Sequence, residues 1–159
     1  LPKTAWPPTS DKYDSALLYG LEAGKYRLAL KTPKDQIINI EYTRDKSKKK
    51  AAYKKSKAIN LKSDIDSIYT STEKAARWYK ASVSSTKKRK AVTLSKDSVG
   101  GGFKFCIYQK GKRLKTVKVT KNDKVKTVKL PKKKGAYYVK VTKLTSKTTG
   151  AYYLGTYTY

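Results

Sequence analysis

Apolar and polar residues alternate along the C-terminal two thirds of this 159-residue chain. A repeat of two residues is typical of β-strands, and Tyr and Val favour a pleated, half-buried surface. The clearest example is the segment Ala136–Lys143, which is followed by a polar turn and a second Tyr-rich run, Ala151–Tyr159. Residues Tyr137, Val139 and Val141 fall on one face of the first run, and Tyr138 and Lys140 fall on the other. The pattern predicts that Lys132–Tyr159 forms a β-hairpin.

Other short segments have the same alternation and are separated by Gly, Asn, Asp and Lys turns. The further predicted strands are Ala58–Leu61, Ile65–Thr70, Ala75–Val83, Ala91–Leu94, Phe103–Gln109, Leu114–Thr120 and Val125–Leu130. Residues predicted to face inward are Tyr79, Ala81, Val83, Phe103, Phe105 and Ile107. Gly100, Gly101 and Gly102 predict a flexible break. Strands this short and evenly spaced indicate an all-β fold, an antiparallel β-sandwich.

The N-terminal third differs in composition. Residues 1–15 are Pro-rich and predicted to be extended, and residues 16–45 contain an echo of the C-terminal pattern, so they are assigned to strands of a preceding or partial repeat. Residues 46–57 are mainly basic and are interpreted as a linker, which leaves 58–159 as the sandwich. The chain does not begin with Met, and we expect it to be a processed or excised piece.

Three stretches resemble a known family. They are SKAINLKSDIDSIYTSTEKAARWYKASV, VTLSKDSVGGGFKFCIYQKGKRLKT and LPKKKGAYYVKVTKLTSKTTGAYYLGTY, which together span about Tyr53 to Tyr159. In their order they resemble the bacterial pre-peptidase C-terminal domain, a secreted, jelly-roll-like β-sandwich related to collagen-binding domains of clostridial proteases. The sequence departs from the family pattern at Ala76-Arg77, where relatives have Asp-Tyr, and at Lys104, where relatives have an acidic residue. The resemblance implies an exported, non-catalytic module.

The formal net charge of +28, from 39 basic and 11 acidic residues, indicates which kinds of partner the chain can bind. Such a charge attracts anionic partners, and lysines also protect strand edges from pairing with other chains. The partners we expect are an anionic polysaccharide, a cell-wall polymer or a host glycan or matrix, with non-specific nucleic-acid binding as a further possibility. No apolar run approaches the length of a membrane span.

Several kinds of active site are excluded by composition. The chain has no His, which removes Ser-His-Asp and Cys-His catalysis and His-ligated zinc, and its single Cys cannot form a thiolate cage or an internal disulfide. Relatives that bind calcium use acidic clusters, for which Asp64, Asp66 and Glu73 are the nearest candidates here. Three scattered carboxylates are few for an ion that takes six to eight oxygen ligands. We therefore expect neither a metal nor a cofactor, and no enzymatic activity.

Aromatic and lysine side chains on the outside of the sandwich are the candidate ligand-binding residues. Aromatic faces stack on sugar rings or peptide side chains, and lysines hold anionic groups as point charges. The residues are Trp78, Lys80, Lys104, Tyr108, Tyr138 and Tyr152. The sequence predicts a binding or adhesion module on the cell surface or outside the cell. A structural spacer repeat with no ligand is the alternative, and a nucleic-acid binder is a third hypothesis.

Overall fold

A computed structural model describes residues 25, 27, 51–61, 68–70, 76–146 and 148–159. A single 3-10 turn, Lys55–Lys57, precedes nine strands within these ranges. The strands are β1 (Ile59–Asn60), β2 (Ile68–Thr70), β3 (Arg77–Val83), β4 (Lys90–Gly100), β5 (Phe103–Gln109), β6 (Lys112–Val119), β7 (Val125–Lys129), β8 (Gly135–Lys143) and β9 (Thr149–Thr158). No helix in the described ranges is long and apolar enough to cross a membrane.

The strands form two sheets that pack face to face. The five-stranded sheet has the order β1-β3-β8-β5-β6, and the four-stranded sheet has the order β2-β9-β4-β7. Every pairing is antiparallel except that of β1 with β3. Consecutive strands lie in opposite sheets throughout, except for β5 and β6, which are neighbours in the five-stranded sheet. The predicted antiparallel, jelly-roll-like β-sandwich is confirmed.

The core consists of the alternating inward residues of both sheets. All six residues that the sequence placed inward on β3 and β5 are buried, as are Tyr137, Val139 and Val141 of β8. Buried tyrosines need partners for their hydroxyls. The Tyr79 and Tyr152 hydroxyls lie 2.6 Å apart and share a hydrogen bond across the core, and the Tyr137 hydroxyl donates to the Lys133 carbonyl at 3.0 Å. Each large apolar side chain buried in this way contributes roughly 1.5–3 kcal/mol.

The predicted hairpin at the C-terminus is wrong, although both of its strands exist. β8 pairs with β3 and β5, whereas β9 pairs with β2 and β4 in the opposite sheet. The connection between them therefore passes from one sheet to the other. Because alternation specifies which face of a strand is apolar and not which strand it pairs with, sequence pattern alone cannot distinguish the two connections.

The glycine break before β5 is a packed connection and not a flexible one. Gly102 is buried, and its N–H donates to Thr148 Oγ1 at 3.2 Å while the Thr148 hydroxyl donates to the Gly102 carbonyl at 3.0 Å. A Cβ atom at Gly102 would lie 2.1 Å from the Val119 carbonyl oxygen. Glycine is required here because backbone from the end of β6 approaches so closely.

The predictions for residues 1–45 lie outside the described residues, apart from Lys25 and Arg27, which are exposed. The last part of the predicted basic linker, residues 51–57, contacts the sandwich. Ala52 is buried, and its carbonyl accepts a hydrogen bond from the Trp78 N–H at 2.8 Å. The backbone next to the 3-10 turn is therefore held against β3.

Candidate functional site

The outer face of the five-stranded sheet carries five of the six candidate residues. Trp78 and Lys80 lie on β3, Lys104 and Tyr108 on β5, and Tyr138 on β8, which runs between them. Each one alternates with buried residues on its own strand, and each is half-buried. Their outward placement follows directly from the two-residue repeat.

Strand register decides which of these residues are neighbours. Tyr138 pairs with Lys80 on one side and with Tyr108 on the other, so these three form one row across the sheet. Trp78 lies in the next row, opposite Lys140. Lys104 is four residues from Tyr108 along β5, about 13 Å in an extended strand, and so lies at the far end of the group.

The aromatic side chains of this group contact one another across β8. The rings of Trp78 and Tyr108 have centroids 5.5 Å apart and are tilted by 46°. The ammonium of Lys140 lies 5.5 Å from the centroid of the Trp78 ring, and that of Lys55 lies 4.6 Å from the centroid of the Tyr138 ring. We call the set of Trp78, Tyr108, Tyr138, Lys80 and Lys140 the aromatic face.

Two lysines of this arrangement were not among the predicted site residues. The alternation of β8 places Lys140 on the same side as Tyr138, so the sequence contained enough information to include it. Lys55 belongs to the 3-10 turn, and its position over Tyr138 depends on how that turn packs against the sheet. No sequence pattern could have identified it.

Tyr108 and Cys106 occupy alternate outward positions of β5. The thiol of Cys106 is buried and lies 3.4 Å from the Thr116 hydroxyl on β6. Burial raises the pKa of the Tyr108 phenol above its ordinary value; the neighbouring Cys106 adds to this rise, and Arg113 opposes it. Tyr108 therefore remains a neutral phenol at physiological pH. It offers a ring face and a hydroxyl, and no negative charge that would repel an anion.

The outward placement predicted for Tyr152 is wrong. Its side chain is 3% exposed and packs in the core, with its ring centroid 4.9 Å from that of Phe103. Tyr152 and Tyr153 are adjacent on β9, and Leu154, which is fully buried, fixes which of the two faces inward. Tyr153 is the half-buried residue that points outward.

A second exposed aromatic pair was missed from the sequence. Tyr157 and Tyr159 at the end of β9 are 43% and 46% exposed, and their ring centroids are 5.6 Å apart. The Lys129 ammonium lies 5.4 Å from the centroid of the Tyr159 ring. The Tyr-Thr-Tyr spacing at the end of a strand is the pattern that could have identified this pair on the four-stranded sheet.

The chemistry available on the aromatic face is stacking and anion binding. No group of three His, Cys, Asp or Glu side chains suited to a metal occurs among the residues that the structure describes. The calcium candidates Asp64, Asp66 and Glu73 lie outside those residues. Half-buried aromatic rings suit sugar rings or planar side chains, and the adjacent ammonium groups suit anions.

Comparison with known proteins reveals a similarity of fold. No family model matches the sequence, and no curated protein matches it. Among solved structures, the chain is similar to the pre-peptidase C-terminal domain of collagenase from Bacillus anthracis, with a TM-score of 0.48 and 17% sequence identity. The match covers 63% of this chain and 94% of that domain. This is the domain type that the sequence motifs resemble.

Proposed function

We propose that this chain is a non-catalytic attachment module of an exported bacterial protein. It holds its parent protein on a glycan-rich or anionic surface, such as an anionic polysaccharide, a cell-wall polymer or a host glycan or matrix. The aromatic face is the contact surface. Stacking on Trp78 and Tyr108 supplies the salt-resistant part of binding. Tyr138 lies between them beneath Lys55, and the lysines of the face hold anionic groups.

The observation that supports this proposal is the contact between Trp78 and Tyr108. The two rings meet above β8 from strands that are not adjacent. Both are half-buried, so each ring is partly held by its neighbours and partly accessible to solvent. A ring held in this way loses little side-chain entropy when a ligand stacks on it. Lys80 and Lys140 place positive charge within reach of the same ligand.

Composition supports the absence of catalysis. With no His and a single buried Cys, the usual general base and the usual thiol nucleophile are missing from the chain. The outward positions of β3, β5 and β8 within the described ranges carry no carboxylate. A carboxylate pair of the glycosidase type therefore has no place on the aromatic face.

A structural spacer without a ligand is the second candidate. The contacts of Trp78 with Tyr108 and Lys140 are also those expected when large side chains cover the outer face of a sheet. In that case the aromatic face contributes to stability alone. The two functions differ in what happens when one ring is removed.

The test is a titration of the whole chain against a neutral polysaccharide, heparin and teichoic acid at low and high salt. We expect binding to at least one of the three polymers to persist at high salt, because stacking is not screened. Trp78→Ala should abolish that persistent binding. Tyr157→Ala is the matched control, since it removes an exposed ring from the opposite sheet.

Two results would contradict the proposal. Binding that disappears with salt for all three polymers would leave charge as the sole attraction. Salt-resistant binding that survives Trp78→Ala and is lost in Tyr157→Ala would move the contact to the other sheet. Circular dichroism and thermal midpoints of both variants separate loss of binding from loss of fold.

A further inference from the structure

One edge of the sandwich carries an unusual accumulation of positive charge. Residues 110–134 contain eleven lysines and Arg113, against a single acidic residue, Asp123. They comprise β6, β7 and the turns around them. We call this segment the basic edge.

The basic edge is one continuous surface because of the sheet order. β6 is the last strand of the five-stranded sheet, β7 is the last strand of the four-stranded sheet, and a short turn joins them. Every side chain from Lys112 to Thr116 is exposed, and in β7 only Val128 is buried. At 3.3–3.4 Å per residue, β6 extends about 25 Å. The lysines therefore form an elongated ridge rather than a pocket.

The single acidic residue does not offset this charge over the ridge. The Asp123 carboxylate accepts hydrogen bonds from the Thr120 N–H at 2.9 Å and from the Thr120 hydroxyl at 2.7 Å, and it lies 2.6 Å from the Lys126 ammonium. These contacts lower its pKa below the usual range. Asp123 thus stabilises the turn between β6 and β7 and forms its ion pair with Lys126.

The turn is fixed to the body of the sandwich. The Lys96 N–H donates to the Lys124 carbonyl at 2.9 Å, and the Lys96 ammonium donates to the Lys121 carbonyl at 2.8 Å. Both bonds join the turn to β4. The backbone of the turn that joins β6 to β7 is therefore anchored to β4.

Protection of strand edges explains some of these lysines but not all of them. Edge strands in soluble proteins commonly carry charged residues that discourage pairing with another chain. Protection needs charge of either sign, and interspersed signs would avoid mutual repulsion. A ridge of one sign is disfavoured by that repulsion unless a partner of opposite sign lies along it.

The residue types on the basic edge indicate what kind of polyanion fits. The segment has no Phe, Trp or Tyr, so it cannot stack on bases as single-stranded nucleic-acid sites do. Lysines outnumber arginine eleven to one, so bidentate recognition of individual anionic groups is also missing. The interaction that these residues can make is electrostatic attraction between the lysines and the regularly repeated negative charges of a polymer.

We propose that the basic edge binds a linear polyanion along β6 and β7, recognised by its charge density alone. This site is separate from the aromatic face, which lies on strands β3, β8 and β5. The inference deepens the proposed attachment function by giving the anionic polymer its own surface. The biological purpose of this inference rests on the proposed attachment function. The binding itself does not, because a polyanion can bind at the basic edge without the aromatic rings.

Inorganic polyphosphate is the appropriate probe, since it carries repeated charge without sugar rings or bases. We compare the whole chain with the double variant Lys115→Gln/Lys118→Gln on β6. The matched control, Lys54→Gln/Lys57→Gln, removes the same charge from exposed residues next to β1, at the opposite end of the five-stranded sheet. Affinity is measured over a series of salt concentrations.

We expect the β6 variant to lose about tenfold in polyphosphate affinity at low salt, and its plot of log K against log salt to become shallower by about 1.4 units, or about 0.7 for each lysine removed. The control should change less than about twofold. Equal losses in both variants would mean that polyphosphate responds to the net charge of the protein and does not bind specifically at the basic edge. An absence of polyphosphate binding would overturn the proposal directly.

Two further arms separate this proposal from its alternatives. Heparin should follow polyphosphate in its response to the β6 variant, whereas tighter, salt-resistant binding of oligothymidine would overturn recognition by charge alone. Trp78→Ala tests the aromatic face in the same assays. In one outcome, Trp78→Ala leaves glycan binding intact while the β6 variant loses affinity for polyphosphate. That result would contradict the proposed role of the aromatic face and would support polyanion binding at the basic edge.

Discussion

The two arms of the β5–β6 hairpin are adjacent in sequence and in space, yet they differ completely in environment. β5 has β8 on its other side, and its inward row of Phe103, Phe105 and Ile107 is almost fully buried by the opposite sheet. β6 pairs with β5 alone among the described strands, and its first five residues are all exposed.

The difference arises from coverage and from a break in the alternation of β6. Val119 at the end of β6 is fully buried, whereas Leu114 near its start is out of phase with Val117 and Val119 and is 46% exposed. A register shift beside Tyr108 marks where the hairpin leaves the regular ladder. An apolar residue on a strand contributes to the core only where the facing sheet reaches it.

The largest expected contrast is between two aliphatic residues on the two arms. Ile107→Ala should lower the free energy of unfolding by about 2–5 kcal/mol, because it leaves a cavity at a fully buried position. Leu114→Ala should change it by less than about 0.5 kcal/mol, as usual for exposed positions. Urea denaturation of both variants measures the difference. Similar losses would mean that the tip of β6 is covered in solution.

The glycines at the two ends of the hairpin provide the next contrast. Gly102→Ala should destabilise by about 1–3 kcal/mol, because the new methyl group would collide with the Val119 carbonyl. At the other end, Gly111 has no neighbouring atom within 4 Å, and its φ of +80° is its sole constraint. Gly111→Ala should therefore cost about 1 kcal/mol of backbone strain. A lower thermal midpoint for Gly111→Ala than for Gly102→Ala would contradict the close approach of the Val119 carbonyl to Gly102.

A smaller contrast separates inner from outer tyrosines. Tyr79→Phe removes the hydrogen bond to the Tyr152 hydroxyl in the core and should cost about 1–2 kcal/mol. Tyr138→Phe on the aromatic face should be near neutral for stability because the hydroxyl of a half-buried side chain remains accessible to water. Denaturant midpoints of the two variants measure the difference. Equal losses of stability in both would argue against the hydrogen bond between the buried hydroxyls.

The smallest expected effect is a pH dependence at the turn after β6. Because contacts with Lys126 and Thr120 lower the pKa of Asp123 in the folded state, its contribution to stability is present above the unfolded-state pKa near 4. That contribution is lost as the pH falls below 4 towards the folded-state pKa. Asp123→Asn should lower the thermal midpoint at pH 7 and flatten its decline between pH 4 and 2. A variant whose midpoint follows the parent at both pH values would exclude this role.

The repeated tetrapeptide Gly-Ala-Tyr-Tyr illustrates how far sequence reasoning extends. It opens β8 at Gly135 and recurs in β9 at Gly150. In both copies the first tyrosine is buried and the second faces outward. The strong alternation of β8 correctly predicts that Tyr138 faces outward. In β9 the prediction that Tyr152 faces outward has the inward and outward positions reversed. A shift of one residue reverses every side chain of a strand.

The sequence by itself determined the class of fold, most of the strands, the inward residues of β3, β5 and β8, and the excess of positive charge. These depend on local periodicity and composition, which can be read from neighbouring residues. The tertiary structure alone decided that β8 and β9 lie in opposite sheets, that Lys55 covers Tyr138, and that β6 and β7 form one basic edge. Such facts depend on pairings between residues distant in the chain, where several arrangements bury the same apolar faces and only the packing of the whole molecule selects one.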